Sequence, residues 1–107
     1  MADGNVEDVV RLYLRAVRES GIPVEFGVLF GSWATGRAGE FSDIDVVVVS
    51  PRFDDSHDHT DVNRLWRLAA CTDSRIEPVA CGAHQWKVDD STPIIEVARR
   101  EGRTIEA

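Results

Sequence analysis

The stretch Gly31–Asp45, GSWATGRAGEFSDID, carries the strongest structural signal in this chain. It joins a Gly-Ser turn to two carboxylates, Asp43 and Asp45, at the start of the apolar run SDIDVVVVS. Because successive strand side chains point to opposite faces, the two aspartates share one face of the predicted strand. Two like charges on an apolar strand repel each other and resist burial, and a divalent cation relieves both costs. The spacing therefore predicts a magnesium site of the kind that binds a nucleoside triphosphate.

The Gly-Ser turn, Gly31 and Ser32, follows the apolar segment Val24–Phe30, which we predict to be a strand. A glycine at that point has no Cβ, so a phosphate can approach the backbone closely. The Ser32 hydroxyl can donate to a phosphate oxygen, and the N–H groups of a short helix predicted over 32–35 would face the anion. An ordinary capped turn is the alternative, but the aspartates that follow favour a phosphate-binding turn.

A third acidic residue, Glu77, lies in the predicted strand Arg75–Cys81. An unpaired carboxylate among the apolar residues of that strand would be costly, which favours a metal-binding role. Pro78 follows it and indicates an edge strand or a bulge, because proline cannot donate to a β-ladder. A glutamate on the solvent face of that edge is the alternative. With Asp43 and Asp45, Glu77 would complete a two-metal arrangement.

Composition limits the classes of protein that this chain can represent. Its 107 residues suffice for one small domain, predicted over residues 1–107. The formal net charge of −7, from 19 acidic and 12 basic residues, argues against a broad DNA- or RNA-binding surface. The chain has no membrane-length apolar run and no signal-peptide core, so we expect a cytoplasmic protein. Cys71 and Cys81 are expected to be reduced and buried.

Apolar periodicity predicts helices alternating with strands. We therefore predict an α/β (α+β) fold in which helices pack on a mixed β-sheet of three to five strands. The predicted elements are helix Val6–Arg18 with Asn5 as its N-cap, strand Asp43–Val49, a charged loop over Arg52–Asp61, helix Val62–Cys71, an irregular segment Ala83–Thr92, helix Pro93–Arg100 and edge strand Thr104–Glu106.

Several other residues are candidates for binding roles. His57 and His59, in DDSHDHTD, form an alternative zinc or nickel site. One flexible loop would supply every ligand of such a site, which favours a solvated loop instead. Arg37 and Arg52 flank the proposed site, and we assign Arg37 to the nucleotide. Trp33 is expected to lie in the core or to border a nucleotide pocket.

These motifs resemble the signature of minimal nucleotidyltransferase (MNT) domains of the DNA polymerase β superfamily. The chain fits the pattern G-S-x-x-x-G-x-x-x-x-x-S-D-x-D without a gap between Gly31 and Asp45. The later IEP around Glu77 and the segment PIIEVARREGRTI are also similar to this family. The resemblance extends from about Val6 to Ile105, and the long, spaced motif makes it specific.

The resemblance implies a nucleotidyltransferase that moves AMP from ATP to an acceptor hydroxyl and releases pyrophosphate. Asp43, Asp45 and Glu77 would be the catalytic carboxylates and would bind two Mg²⁺ ions. Gly31 and Ser32 would hold the triphosphate. Many members of the family carry Asp where this chain has Glu77.

The resemblance also implies a partner, because domains of this kind are often paired with a small helical HEPN toxin. The acceptor is then expected to be that toxin, silenced by adenylylation in a toxin–antitoxin system. The chain stops at the catalytic core, so acceptor recognition would come from the partner or from a second copy in a homodimer. An antitoxin that acts by binding alone and a small-molecule, antibiotic-type nucleotidyltransferase are the alternatives.

Overall fold

Helices alternate with the strands of a single sheet in a computed structural model that describes residues 2–39, 42–55 and 59–107. This architecture confirms the predicted mixed α/β fold, and its four strands lie within the predicted range. The elements are α1 (Ala2–Glu19), β1 (Phe26–Phe30), a 3₁₀ turn (Gly31–Trp33), β2 (Ile44–Ser50), α2 (Arg52–Asp55), α3 (His59–Thr72), β3 (Ile76–Gly82), α4 (Ala83–Val88), α5 (Pro93–Glu101) and β4 (Arg103–Ile105).

The sheet has the strand order β3-β2-β1-β4. Strand β2 pairs with β1 in antiparallel orientation and with β3 in parallel orientation, while β4 is antiparallel to β1. The carboxyl end of β1 therefore lies beside the amino ends of β2 and β3. Strand β3 is an edge strand, as Pro78 predicts.

The valines of β2 are buried on both faces of the sheet. Val46 and Val48 pack in the core below α1 and α3, whereas Val47 and Val49 pack with residues of α5. Each buried valine contributes about 1.5–3 kcal/mol relative to an exposed one. On the first face, the Tyr13 hydroxyl donates to the Leu65 carbonyl oxygen at 2.8 Å and joins α1 to α3. None of the helices in the described residues combines the length and apolar character needed to cross a bilayer.

Two predictions about the helices α1, α2 and α3 are wrong. Helix α1 begins at Ala2, so Asn5 lies inside it and is not its N-cap. The segment Arg52–Asp61, predicted as a loop, contains α2 and the start of α3 because Phe53 is buried in the core. A two-bond ion pair between the Arg52 guanidinium and the buried Asp61 carboxylate, at 2.7 and 3.0 Å, ties these helices together.

One of the two cysteine predictions is also wrong. Cys81 is buried, but Cys71 is exposed and both thiols are free. Helix α3 buries Leu65 and Ala69 along one stripe, and Cys71 lies two residues beyond Ala69, on another face of the helix.

The segment Ala83–Thr92, predicted to be irregular, contains the short helix α4. Its amino end is capped by a distant residue, since the Asp54 carboxylate accepts from the N–H groups of His84 at 2.8 Å and Gln85 at 3.1 Å. A Cβ at Gly82 would overlap the same carboxylate, so Gly82 makes room for this cap. The His84 hydrogen bond, first among several causes, lowers the pKa of Asp54.

We predict that Asp54→Ala lowers the melting temperature by several degrees at neutral pH, because α4 loses its N-terminal acceptor. The folded-state pKa of Asp54 is depressed, so its contribution is full above the ordinary value of 3.8 and is lost as the pH falls through the folded value. Thermal unfolding of Asp54→Ala and Asp55→Ala, measured from neutral to acid pH, tests this. Equal losses in the two variants, or a difference that persists in strong acid, would contradict the capping role.

Candidate active site

The proposed site lies at one end of the strands, where the carboxyl end of β1 adjoins the amino ends of β2 and β3. The register pairs Phe30 at the end of β1 with Asp45 in β2, and pairs Asp45 with Glu77 in β3. Residues in register point to the same face, so the Asp45 and Glu77 carboxylates are neighbours. Asp43 is exposed and lies directly before the first residue of β2. The fold thus brings together three carboxylates that are 34 positions apart at their extremes (77 − 43).

The Gly-Ser turn begins where β1 ends and lies directly against Asp45. Gly31 has a φ of +76°, a backbone conformation that favours glycine. A Cβ added there would overlap Asp45 Oδ2. The Gly31 carbonyl oxygen accepts from the N–H groups of Ala34 at 3.1 Å and Thr35 at 3.2 Å, which closes the turn. The structure therefore requires glycine at position 31 for two reasons, the left-handed backbone and the close Asp45 carboxylate.

Ser32 lies in the turn itself, and Arg37 lies in the loop that follows it. Ser32 is half-buried, and its carbonyl oxygen accepts from the Arg37 N–H at 2.9 Å. Among the described residues, the Ser32 hydroxyl has no hydrogen-bond partner. Arg37 is exposed. The segment between β1 and β2 therefore carries a half-buried hydroxyl and an exposed guanidinium.

The three carboxylates form one electrostatic group. Burial is the main cause that raises the pKa of Asp45, and the Asp43 charge raises it further. A hydrogen bond to Asp43 is the main cause that raises the pKa of Glu77, followed by burial and by the charges of Asp43 and Asp45. The edge of the sheet thus carries excess negative potential, which a cation would relieve.

The donor set fits magnesium by its chemistry, because carboxylate oxygens are the hard ligands that Mg²⁺ prefers. As the side chains stand, no three acidic, histidine or cysteine residues within the described ranges are arranged to hold a metal ion. Magnesium is usually held by one or two carboxylates together with substrate phosphates, so a complete protein cage is not required. The arrangement is an open group of carboxylates beside the Gly-Ser turn.

One other sequence candidate, Arg52, stands apart from the carboxylates. Arg52 follows β2 at its opposite end and is paired with Asp61, so the prediction that it flanks the site is wrong. The alternative histidine site includes His57, which lies outside the described residues. Sequence reasoning missed Asp73 and Arg75, whose side chains are paired next to the site. Their Asp-x-Arg spacing directly before β3 is the signal that could have found them.

The chain belongs to the nucleotidyltransferase domain family, whose model matches residues 10–100. No curated protein matches it. Among solved structures it is similar to a toxin–antitoxin with AMP-PNP, with 26% identity and a TM-score of 0.62 over 92% of this chain and 70% of that one.

Two further structures share the fold alone, because their identity with this chain is low. One is a Sulfolobus solfataricus protein classed as a nucleotidyltransferase, with 15% identity and a TM-score of 0.67 over 95% of this chain and 80% of that one. The other is a toxin–antitoxin MntA–HpeT mutant, with 23% identity and a TM-score of 0.59 over 92% and 70%. Together with the family match, these findings confirm the resemblance read from the sequence.

We predict that Gly31→Ala destabilises the protein more than Gly36→Ala does. Both glycines have positive φ, of +76° and +77°, but only the Cβ at Gly31 meets another residue. The conformational cost shared by both variants is about 1–2 kcal/mol, and the overlap with Asp45 adds to it at Gly31. Denaturant unfolding measures the difference, and adding Asp45→Ala to Gly31→Ala should remove part of it. Equal losses at the two glycines would refute the close contact.

Proposed function

We propose that this nucleotidyltransferase domain uses Mg²⁺ to transfer AMP from ATP to a hydroxyl of a partner toxin, and so acts as an antitoxin. The register of Phe30, Asp45 and Glu77 carries the proposal, because it joins the Gly-Ser turn to the carboxylates at one sheet edge. The similar toxin–antitoxin with AMP-PNP supports the choice of an adenine nucleotide and of a toxin partner. The acceptor would be recognised by the partner or by a second copy of this chain.

The turn and its loop would bind the triphosphate. Ser32 is half-buried at the turn and would donate its hydroxyl proton to a phosphate oxygen. Arg37, exposed on the same loop, would place a positive charge against the phosphates. Gly31 leaves the backbone open on this side because it has no Cβ.

The carboxylates Asp43, Asp45 and Glu77 would hold the magnesium ions. Bound magnesium would neutralise charge on the phosphates and on the departing pyrophosphate. Glu77, which is in register with Asp45, would also accept the proton of the acceptor hydroxyl. Much of the acceleration would come from positioning and from the electrostatic environment of the edge.

We predict that Asp43→Asn combined with Asp45→Asn lowers the rate of transfer by about 10²-fold or more, since two charges that would hold magnesium against the reacting phosphates are removed. The measurement is the intact mass of the co-expressed partner, which should gain one AMP with the wild-type chain. Asp55→Asn, on α2 and away from the site, is the matched control. A partner that never gains AMP in the presence of ATP and Mg²⁺ would overturn the enzymatic proposal.

A second candidate function is neutralisation of the toxin by contact alone. The similar toxin–antitoxin supports a toxin partner, and neutralisation by contact would need neither magnesium nor the carboxylates. The same double variant separates the two functions. Loss of neutralisation with the complex intact supports the enzyme, and full neutralisation supports the binder.

We also predict that Mg²⁺ together with AMP-PNP raises the melting temperature of the wild-type chain, and that EDTA removes the gain. Ligand at about 100 times its Kd stabilises the folded state by roughly 2.7 kcal/mol. The gain should be much smaller in Asp45→Asn, which loses one charge at the centre of the carboxylate group. Differential scanning calorimetry provides the measurement, and equal gains in both proteins would exclude Asp45 as a ligand.

A further inference from the structure

Four half-buried residues form a chain of contacts beside the three carboxylates, which we call the Trp33–Arg75 clamp: Trp33, Ser42, Asp73 and Arg75. The indole N–H of Trp33 donates to the Ser42 carbonyl oxygen at 3.2 Å. The Arg75 guanidinium lies over the Trp33 ring, with Cζ 5.7 Å from the ring centroid. Arg75 in turn donates to the Asp73 carboxylate through Nη2 at 2.7 Å and Nε at 3.0 Å.

Three members of the clamp lie within two residues of a proposed functional residue. Trp33 directly follows Ser32, and Ser42 directly precedes Asp43. Arg75 lies two residues before Glu77, and its carbonyl oxygen accepts from the first N–H of β2 at 2.8 Å. The clamp therefore ties the Gly-Ser turn to the beginnings of β2 and β3.

The clamp matters for the site because Asp43 lies outside β2 and is not fixed by the hydrogen bonds of the sheet. Asp43 is exposed and lies before Ile44, the first residue of β2. A fixed Ser42 carbonyl restricts the backbone from which the Asp43 side chain extends. We propose that Trp33 and Arg75 are positioning residues that hold Ser32 and Asp43 at the spacing required by a metal-bound triphosphate. This inference rests on the proposed function.

The contacts of Trp33 argue against a role as a stacking platform for the nucleobase. Its N–H is taken by Ser42, one ring face lies under the Arg75 guanidinium, and the ring packs against the core below α1 and α3. Loss of the clamp should therefore weaken the binding of every nucleoside triphosphate equally, without a change in base preference.

The test uses Trp33→Phe, which keeps an aromatic ring and removes the N–H donor. Trp66→Phe is the matched control, because Trp66 is 48% exposed on α3 and belongs to no part of the clamp. Mn²⁺ affinity by electron paramagnetic resonance and Mg²⁺–AMP-PNP affinity by calorimetry are measured on the full chain. One hydrogen bond lost at the site predicts a loss of about five- to tenfold in both affinities for Trp33→Phe. Trp66→Phe should leave both unchanged.

Arg75→Lys is the second variant, and it supplies the answer if Trp33→Phe does not fold. It keeps the positive charge but loses the two-bond fork to Asp73 and the guanidinium contact with the Trp33 ring. We expect Arg75→Lys to weaken Mn²⁺ binding and Mg²⁺–AMP-PNP binding by the same factor as each other. A purely structural role would lower the free energy of unfolding and leave the affinity of the folded protein unchanged.

The outcomes separate this inference from the function on which it rests. Unchanged affinities in the folded variants overturn the clamp while the proposed function stands. A loss confined to AMP-PNP, with GMP-PNP and Mn²⁺ unaffected, also overturns it and makes Trp33 a base-stacking residue. A wild-type chain that binds neither Mn²⁺ nor Mg²⁺–AMP-PNP overturns the proposed function, and the clamp falls with it.

Discussion

The pairing of β2 between β1 and β3 is the constraint on which the rest of the structure depends. Its register sets Asp45 beside Phe30 on one side and beside Glu77 on the other. A shift of one residue would move Asp45 from the face of Val47 and Val49 to that of Val46 and Val48, which is buried below α1 and α3, because strand side chains alternate between faces. The cost of burying the Asp45 carboxylate in that core therefore favours the observed register, and this register sets the position of the carboxylates.

The site is the place where the chain departs from the rules that stabilise the remainder of the fold. Burial and the Asp43 charge raise the pKa of Asp45, and a hydrogen bond to Asp43 raises the pKa of Glu77. Gly31 has a left-handed backbone conformation directly against the Asp45 carboxylate. Such conflicts are costly unless a ligand or its metal relieves them. Their concentration at the junction of three strands is what a site for a charged, metal-bound substrate requires.

Most of the fold could be predicted from local patterns, whereas contacts between distant segments could not. The apolar stripe of α1 and the valine run of β2 led to the correct elements and to the correct fold class. Helix α4 was missed because its cap, Asp54, lies about thirty positions earlier in the chain. The segment after β2 was taken for a loop because burial of Phe53 depends on packing against other elements.

The sequence by itself determined the residue types of the site and their spacing within each segment. Gly31, Ser32, Asp43 and Asp45 belong to one continuous motif, and the alternation of a strand is enough to put the two aspartates on one face. Tertiary structure alone decided that Glu77 stands next to Asp45, that Arg52 lies at the far end of β2, and that Trp33 contacts Ser42 and Arg75. These relations depend on strand order and register, which are set by the packing of the whole core rather than by any local stretch of sequence.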